Sequence, residues 1–214
     1  MRRVLFNPFD HVNKEDVKKR VARLKKKNPQ LGREEICLLI LRSKCRWCAA
    51  AGAVTALPGV VPVLGTLVAA VGGTALDMVA VGFFLSEMIL EMAAVYNRNL
   101  DIPGTSREAV WVLASSVGAG IAGRGLTRAA VSQLSGHAFM RLCQQVLLSL
   151  GIRAAQRTIL RIIPVLGTFI AAAVNYYTCK KVGEFVKNYY ARNAYDDLWD
   201  GKTIDASAEV MEDE

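Results

Sequence analysis

Two long segments of this 214-residue chain lack charge of at least one sign. No lysine, arginine or histidine occurs between Arg46 and Arg98, and no charge of either sign occurs between Arg46 and Asp77. A segment this apolar is stable only inside protein or lipid, because contact of apolar side chains with water is unfavourable. We therefore expect the stretch from Ala49 to Tyr96 to form the core on which the remaining chain packs.

The second segment, between Glu108 and Glu184, contains no acidic residue. It includes a Gly-x-Gly-x-x-Gly pattern at Gly118, Gly120 and Gly123. In dinucleotide-binding proteins this pattern is followed about 20 residues later by an acid that holds the ribose. Because that acid is missing here, the pattern does not indicate a dinucleotide site.

Signatures of catalysis are also missing. The chain has no phosphate-binding loop, no His-Glu-x-x-His motif and no nucleophile elbow. Cys45 and Cys48 form a Cys-x-x-Cys pair, but zinc would need two further ligands, and neither His11 nor His137 has a ligand-like partner spacing. An odd total of five cysteines indicates buried, reduced thiols, and we expect no metal and no cofactor.

Charge is distributed along the chain in blocks. The net charge is +9 over residues 1–48, −3 over 49–108, +8 over 109–183 and −6 over 184–214. The basic blocks favour an anionic partner, and phospholipid fits better than nucleic acid because the basic residues are not interleaved with aromatics. No apolar run of signal-peptide length begins the chain. We expect a cytoplasmic, peripherally membrane-associated protein, with integral insertion in the inner membrane as the alternative.

A basic amphipathic helix is predicted over residues 14–27. Asn13 is a good N-cap, and Val17, Val21 and Leu24 fall on one face. The rest of its surface is basic, with Lys18, Lys19, Arg20, Arg23, Lys25, Lys26 and Lys27. This helix is either a solvated element docked by its apolar stripe or a helix that lies on anionic headgroups.

Two long helices are predicted over residues 33–57 and 63–96. Residues 62–84 are long enough to cross a bilayer, but Asp77 within them would cost about 2.5 to 3.5 kcal/mol at the bilayer centre. A buried hairpin and a membrane insertion are therefore both left open.

The start of the second long helix is repeated later in the chain. Residues 62–70, PVLGTLVAA, recur as residues 164–172, PVLGTFIAA, at an offset of 102. The repeat favours two related helical hairpins, each opened by Pro-x-x-Gly, with small residues at close helix contacts. These small residues are Gly65, Ala69, Gly73, Gly118, Gly167 and Ala171. The alternative is convergence on a common helix-start sequence.

Together these patterns predict an all-α fold, a bundle of about six to eight helices. Its predicted organisation is a basic N-terminal helix over 1–27, a helical domain over 28–190 and an acidic, disordered tail over 191–214. Within the domain, a capping box formed by Thr105 and Glu108 predicts the start of a helix.

Three acids, Asp77, Glu87 and Glu91, lie in the apolar core helix. At 100° per residue, Glu87 and Glu91 fall about 80° and 40° from Asp77, so all three share one stripe. This acidic stripe could form salt bridges or the metal-binding or acid/base site of an enzyme. The candidate partners are Arg153, Arg157 and Arg161, which share one helical face and are equally candidates for binding lipid phosphate.

Several short motifs resemble the EcsC family in their order and spacing across residues 28–190. They are Asn28-Pro29, Glu34-Glu35, Leu57-Pro58-Gly59, Asp77, the run Met88–Ala93 that leads to Tyr96, and Pro164, Gly167 and Asn175. Where the family often has glycine after the tyrosine, this chain has Asn97. The resemblance implies a helical, membrane-associated protein of bacterial type, linked in the name-giving member to an ABC transporter operon, without an established catalytic activity.

The function expected from these observations is a non-catalytic, membrane-associated helical module. Its expected partner is an anionic membrane surface or a membrane protein, no nucleic acid is expected, and homo-oligomerisation is left open. The competing hypothesis is an enzyme that uses the acidic stripe.

Overall fold

The computed structural model describes residues 8–56, 73–117, 130–131, 133–134, 136–155 and 164–192. Within these ranges the protein is all-helical, with no strand, which confirms the predicted all-α bundle. After a short 3₁₀ turn (Pro8–His11), the helices are α1 (Lys14–Lys27), α2 (Arg33–Ala56), α3 (Gly73–Val95), α4 (Pro103–Ser116), α5 (Gly136–Ala155) and α6 (Pro164–Arg192).

Helix α1 begins and ends where the sequence predicts. The Asn13 side chain accepts hydrogen bonds from the backbone N–H groups of Glu15 (3.0 Å) and Asp16 (3.2 Å). These bonds satisfy donors that have no partner within the helix. Val17 and Val21 are buried, so the apolar stripe of α1 docks on the protein and belongs to the common hydrophobic core.

Helix α3 is the centre of the bundle. It packs against α1, α2, α4, α5, α6 and the 3₁₀ turn. Its side chains that are fully buried include Leu85, Met88, Ile89, Leu90 and Met92. For the part of the chain from residue 73 to Tyr96, this confirms the expectation that the charge-poor stretch forms the core.

Asn97 ends α3 in the left-handed conformation, with φ of 62°. The N–H of Arg98 bonds to the carbonyl of Ala93 (3.0 Å) and the N–H of Asn97 bonds to that of Ala94 (3.1 Å). This pair of bonds is a Schellman motif, which requires a residue that tolerates positive φ. After glycine, asparagine tolerates this conformation best, which explains how Asn97 stands where the resembled family often has glycine.

The start of α4 differs from the prediction. Pro103 occupies the first turn, and Ile102 at the N-cap makes no side-chain hydrogen bond. Thr105 instead donates its hydroxyl to the carbonyl of Asn99 (2.6 Å), and Glu108 is fully buried. The predicted capping box is therefore wrong, because Pro103 already starts the helix without a backbone donor and tertiary contacts use both side chains.

Helices α2 and α6 form an antiparallel pair, the most extensive helix contact in the described part of the protein. Gly52 lies against Ala171, Leu41 lies against Gly183, and Lys187 contacts Glu34 at 3.4 Å. A Cβ atom on Gly52 would lie 2.7 Å from the carbonyl oxygen of Ala171. The two backbones therefore approach closely only because this position has no side chain.

One helix in the described ranges, Asp77–Val95, is long and apolar enough to cross a membrane, with a mean hydropathy of 1.8. It is the central helix of the bundle, and 61% of this window is buried inside the protein. The predicted span over residues 62–84 lies partly outside the described residues. The first Pro-x-x-Gly start, with Gly65 and Ala69, lies wholly outside them, and so does the acidic tail after Arg192.

Candidate functional site

The acidic stripe of α3 faces α1 and α2. Glu91 accepts a hydrogen bond from Arg20 of α1 (2.7 Å) and lies 3.0 Å from the Lys44 ammonium of α2. Glu87 pairs with the same two cations, one through each carboxylate oxygen. We call these four residues the charge network.

The charge network is electrically balanced and largely removed from water. Only 8% of the Lys44 side chain and 4% of the Glu91 side chain are exposed, whereas Arg20 is 37% exposed. Removing either cation would leave a carboxylate uncompensated in a poorly solvated place, which is costly. Both glutamates are thus committed to cations, and this arrangement favours the salt-bridge interpretation of the stripe.

Asp77 stands apart from the charge network, at the end of α2. It is 5% exposed, and its Oδ1 accepts hydrogen bonds from the Asn175 amide (2.7 Å) and the Thr55 hydroxyl (3.1 Å). Asp77 therefore has partners inside the helical core, and those in the described residues are neutral groups of α2 and α6. Asp77 thereby links the start of α3 to the end of α2 and to the middle part of α6.

The predicted arginine partners lie outside this description. Arg157 and Arg161 fall in residues 156–163, and α5 includes Arg153 but its side chain is not described. The cations that meet Glu87 and Glu91 are Arg20 and Lys44. The sequence places Arg20 on the basic face of α1, which is either solvated or in contact with a membrane, and it does not single out Lys44.

The small residues predicted at helix contacts are only partly covered by the described structure. Gly65, Ala69 and Gly118 lie outside it, and the contacts of Gly73 and Gly167 are not described. Ala171 is buried against Gly52. Gly52 follows an alanine run, and the sequence does not indicate that it lies at a helix contact. Whether another backbone approaches it depends on which helix packs there.

The seven predicted surface cations of α1 divide into two groups. Three of them bind within the protein: Arg20 in the charge network, Lys18 with Asp101 (2.8 Å) and Glu15 (2.7 Å), and Lys25 with the carbonyl of Val95 (3.1 Å). The other four, Lys19, Arg23, Lys26 and Lys27, are exposed and make no ion pair in the part of the chain that the structure describes.

The two inward lysines have opposite pKa shifts. Hydrogen bonds to Asp101 and Glu15 raise the pKa of Lys18. Partial burial, with the nearby charge of Arg33, lowers the pKa of Lys25. Both side chains border a groove of about 300 Å³ between α1 and the loop after α3. This groove is part of the α1 docking contact, since both lysines already have partners there.

Three buried thiols meet between α2 and α6. Cys179 forms hydrogen bonds with Cys45 and Cys48, and its sulfur lies 3.9 Å from that of Met88. These hydrogen bonds raise the pKa of Cys179 and lower that of Cys45. Among the residues whose side chains are described, no group of three His, Cys, Asp or Glu is placed to hold a metal ion.

In a comparison with known proteins, no family model, curated protein or solved structure matches the chain. The resemblance to the EcsC family therefore stays a prediction that depends on the residues that carry it.

Proposed function

We propose that this chain is a peripheral, membrane-associated helical module that binds anionic lipid through the outer face of α1. The observation that carries the proposal is the division of the α1 cations. Val17, Val21 and Arg20 dock the helix on α3, and this docking turns Lys19, Arg23, Lys26 and Lys27 outward.

The outward cations supply attraction without insertion. Each lysine or arginine near an anionic membrane surface contributes about 1 kcal/mol, so four of them contribute about 4 kcal/mol at low salt. The apolar stripe of α1 is already buried in the protein, so this helix has little apolar surface left to enter the bilayer. Binding through α1 is therefore electrostatic, and salt should weaken it. The buried free thiols of the chain support a cytoplasmic location.

The test is co-sedimentation with vesicles of phosphatidylglycerol or of phosphatidylcholine. We expect binding to the anionic vesicles only, and loss of most binding as salt rises from about 0.05 M to about 1 M, where the screening length is about 3 Å. Release by alkaline carbonate is expected as well. Equal binding to neutral vesicles, no binding to anionic ones, or retention after carbonate would each contradict the proposal.

A matched pair of variants assigns the binding to α1. The triple variant Lys19→Ala, Arg23→Ala and Lys26→Ala removes three outward charges and should lose most of the binding. The control Lys180→Ala, Lys181→Ala and Arg192→Ala removes the same charge from exposed positions of α6 and should bind nearly as well as the wild type. Equal losses in both would show that net charge, rather than the α1 face, governs binding.

We also propose that the repeated Pro-x-x-Gly starts open two related hairpins. The second copy supports this, because α6 begins at Pro164 and its Ala171 makes a close helix contact. Gly65→Leu and Gly167→Leu should then lower the melting temperature by similar amounts. A severe effect at one position and none at the other would identify the repeat as a recurring helix start.

A further inference from the structure

An apolar surface continues directly from the place where α1 crosses the bundle. Arg20 of α1 reaches Glu87 on α3, which also pairs with Lys44 on α2. One helical turn beyond those two residues, Trp47 of α2 stacks on Phe84 of α3 with ring centroids 6.2 Å apart. One helical turn from the charge network, aromatic side chains thus lie between the same two helices.

This surface extends along both helices. Phe83 packs edge-on against Phe84, with centroids 5.9 Å apart. Trp47, Ala50 and Val54 follow the i, i+3, i+7 spacing that places residues on one helical face. All three are exposed, Trp47 by 58% and Val54 by 62%. We call Trp47, Ala50, Val54, Phe83 and Phe84 the aromatic surface.

The chemistry around the aromatic surface indicates its partner. Arg46 is exposed beside Trp47, and Arg20 of α1 reaches Glu87, which lies one helical turn from Phe84. The acids near it are already bonded, Glu87 and Glu91 to Arg20 and Lys44, and Asp77 to Thr55 and Asn175. A tryptophan between cations and aliphatic side chains suits the interface of a bilayer, where its ring lies at headgroup level and the cations meet anionic headgroups.

We propose that the aromatic surface enters the headgroup region of an anionic phospholipid bilayer while the outward face of α1 binds the headgroups beside it. This inference rests on the proposed function and adds the surface that the α1 cations do not supply. Electrostatic attraction brings the protein to the membrane, and burial of Trp47 and Val54 adds an apolar contribution that salt does not screen. A fraction of the binding should therefore persist at high salt.

Tryptophan fluorescence tests the orientation directly. The chain has three tryptophans, so Trp111→Phe with Trp199→Phe leaves Trp47 as the single reporter. Trp47→Phe with Trp199→Phe leaves Trp111, which is half-buried against Tyr189 and is the matched control. On phosphatidylglycerol vesicles with brominated acyl chains, we expect Trp47 emission to shift to shorter wavelength and to be quenched. Trp111 emission should stay unchanged.

A second pair of variants keeps all three tryptophans. Val54→Asp should weaken vesicle binding at least about 10-fold, because it replaces a side chain that gains apolar burial with a charged one. Leu38→Asp changes an exposed aliphatic residue on a different face of the same helix and should have much less effect. Similar losses in both variants would overturn the inference.

The outcomes separate the inference from the proposed function. Vesicle binding by the wild type with unquenched Trp47 would overturn the aromatic surface and leave the α1 proposal standing. Failure of the wild type to bind anionic vesicles at low salt would overturn both. A concentration-dependent protection of Trp47 from acrylamide without vesicles would assign the surface to a second copy of the chain instead.

Discussion

At the scale of single residues, Lys44 and Lys18 form a natural comparison. Each lysine contacts two carboxylates, but Lys44 is 8% exposed and Lys18 is 37% exposed. Removing one partner of a buried ion pair costs about 3 to 5 kcal/mol, because the remaining charge has lost its compensation. Exposed pairs contribute at most about 1 kcal/mol.

We expect Lys44→Met to lower the free energy of unfolding by about 3 kcal/mol, the low end of that range because Arg20 still reaches both glutamates. Lys18→Met should lower it by less than about 1 kcal/mol. Urea denaturation followed by circular dichroism measures both. If the two variants lose the same stability, water must already compensate Glu87 and Glu91, and the charge network would be a surface feature.

The thiol of Cys37 gives a pH dependence with a defined sign. Burial raises its pKa from 9.0 to about 12 in the folded state. Below pH 9 both states keep the proton, so this contribution to stability is complete there. Above pH 9 the unfolded chain releases the proton first, and stability falls as pH rises toward the folded-state pKa of about 12.

A pH of about 10 lies one unit above 9.0, so the stability lost through Cys37 at that pH is about 1.4 kcal/mol. From about pH 8 to about pH 10, the free energy of unfolding of the wild type should therefore fall by about 1.4 kcal/mol more than that of Cys37→Ala. Urea titrations with a reducing agent measure both. Tyr96, whose pKa burial also raises to about 12, is present in both proteins. Equal slopes in wild type and variant would show that Cys37 is accessible to water in the folded state.

At the scale of helices, capping and periodicity rules predicted a helix correctly where its start depends on neighbouring residues in the sequence. Helix α1 was predictable because Asn13 accepts backbone hydrogen bonds two and three residues away, and its valines repeat with helical spacing. The start of α4 was not, because Thr105 and Glu108 match a capping box but contact Asn99 and Tyr189 instead. A short motif predicts a helix start only when no distant group competes for its side chains.

The contact between α2 and α6 tests close packing at a glycine. A Cβ atom on Gly52 would lie 2.6 Å from the Asn175 amide nitrogen and 2.7 Å from the Ala171 carbonyl oxygen. Backbone atoms cannot move away cheaply, so we expect Gly52→Ala to destabilise the protein by about 1 to 3 kcal/mol, despite the better helix propensity of alanine.

Two other glycines are the controls for Gly52→Ala. A Cβ atom on Gly183 would meet the ends of the flexible Leu41 and Met88 side chains, so Gly183→Ala should cost less. Gly32→Ala should be nearly neutral, since the nearest atom to the added Cβ would be a Glu35 carboxylate oxygen 3.7 Å away. Thermal melts of the three variants give the order. A neutral Gly52→Ala would mean that α2 and α6 can separate without cost.

At the scale of the whole molecule, the sequence predicted which acids share a face of α3 better than it predicted which residues bind them. The stripe of Asp77, Glu87 and Glu91 followed from helical periodicity alone, which is a local property. Its partners depend on which helices cross α3, and periodicity contains no information about that. Arg20 and Lys44 became partners because α1 crosses the bundle where α2 and α3 meet.

The crossing of α1 makes a whole-molecule prediction about truncation. Deleting residues 1–27 removes Arg20 from Glu87 and Glu91 and exposes the core that Val17 and Val21 cover. Burial of each valine contributes about 1.5 kcal/mol or more, and loss of the partly exposed Arg20 from Glu87 and Glu91 adds to that sum. We expect the free energy of unfolding to fall by about 3 kcal/mol or more, as measured by urea denaturation.

The outward triple variant Lys19→Ala, Arg23→Ala and Lys26→Ala is the control for this deletion. Exposed substitutions that break no contact usually change stability by less than about 0.5 kcal/mol. We therefore expect the triple variant to unfold with the wild type and still to lose anionic vesicle binding, whereas the deletion loses both properties. An unchanged stability of the deletion would show that α1 is attached only weakly. Its inward cations would then be free to face a membrane with the others.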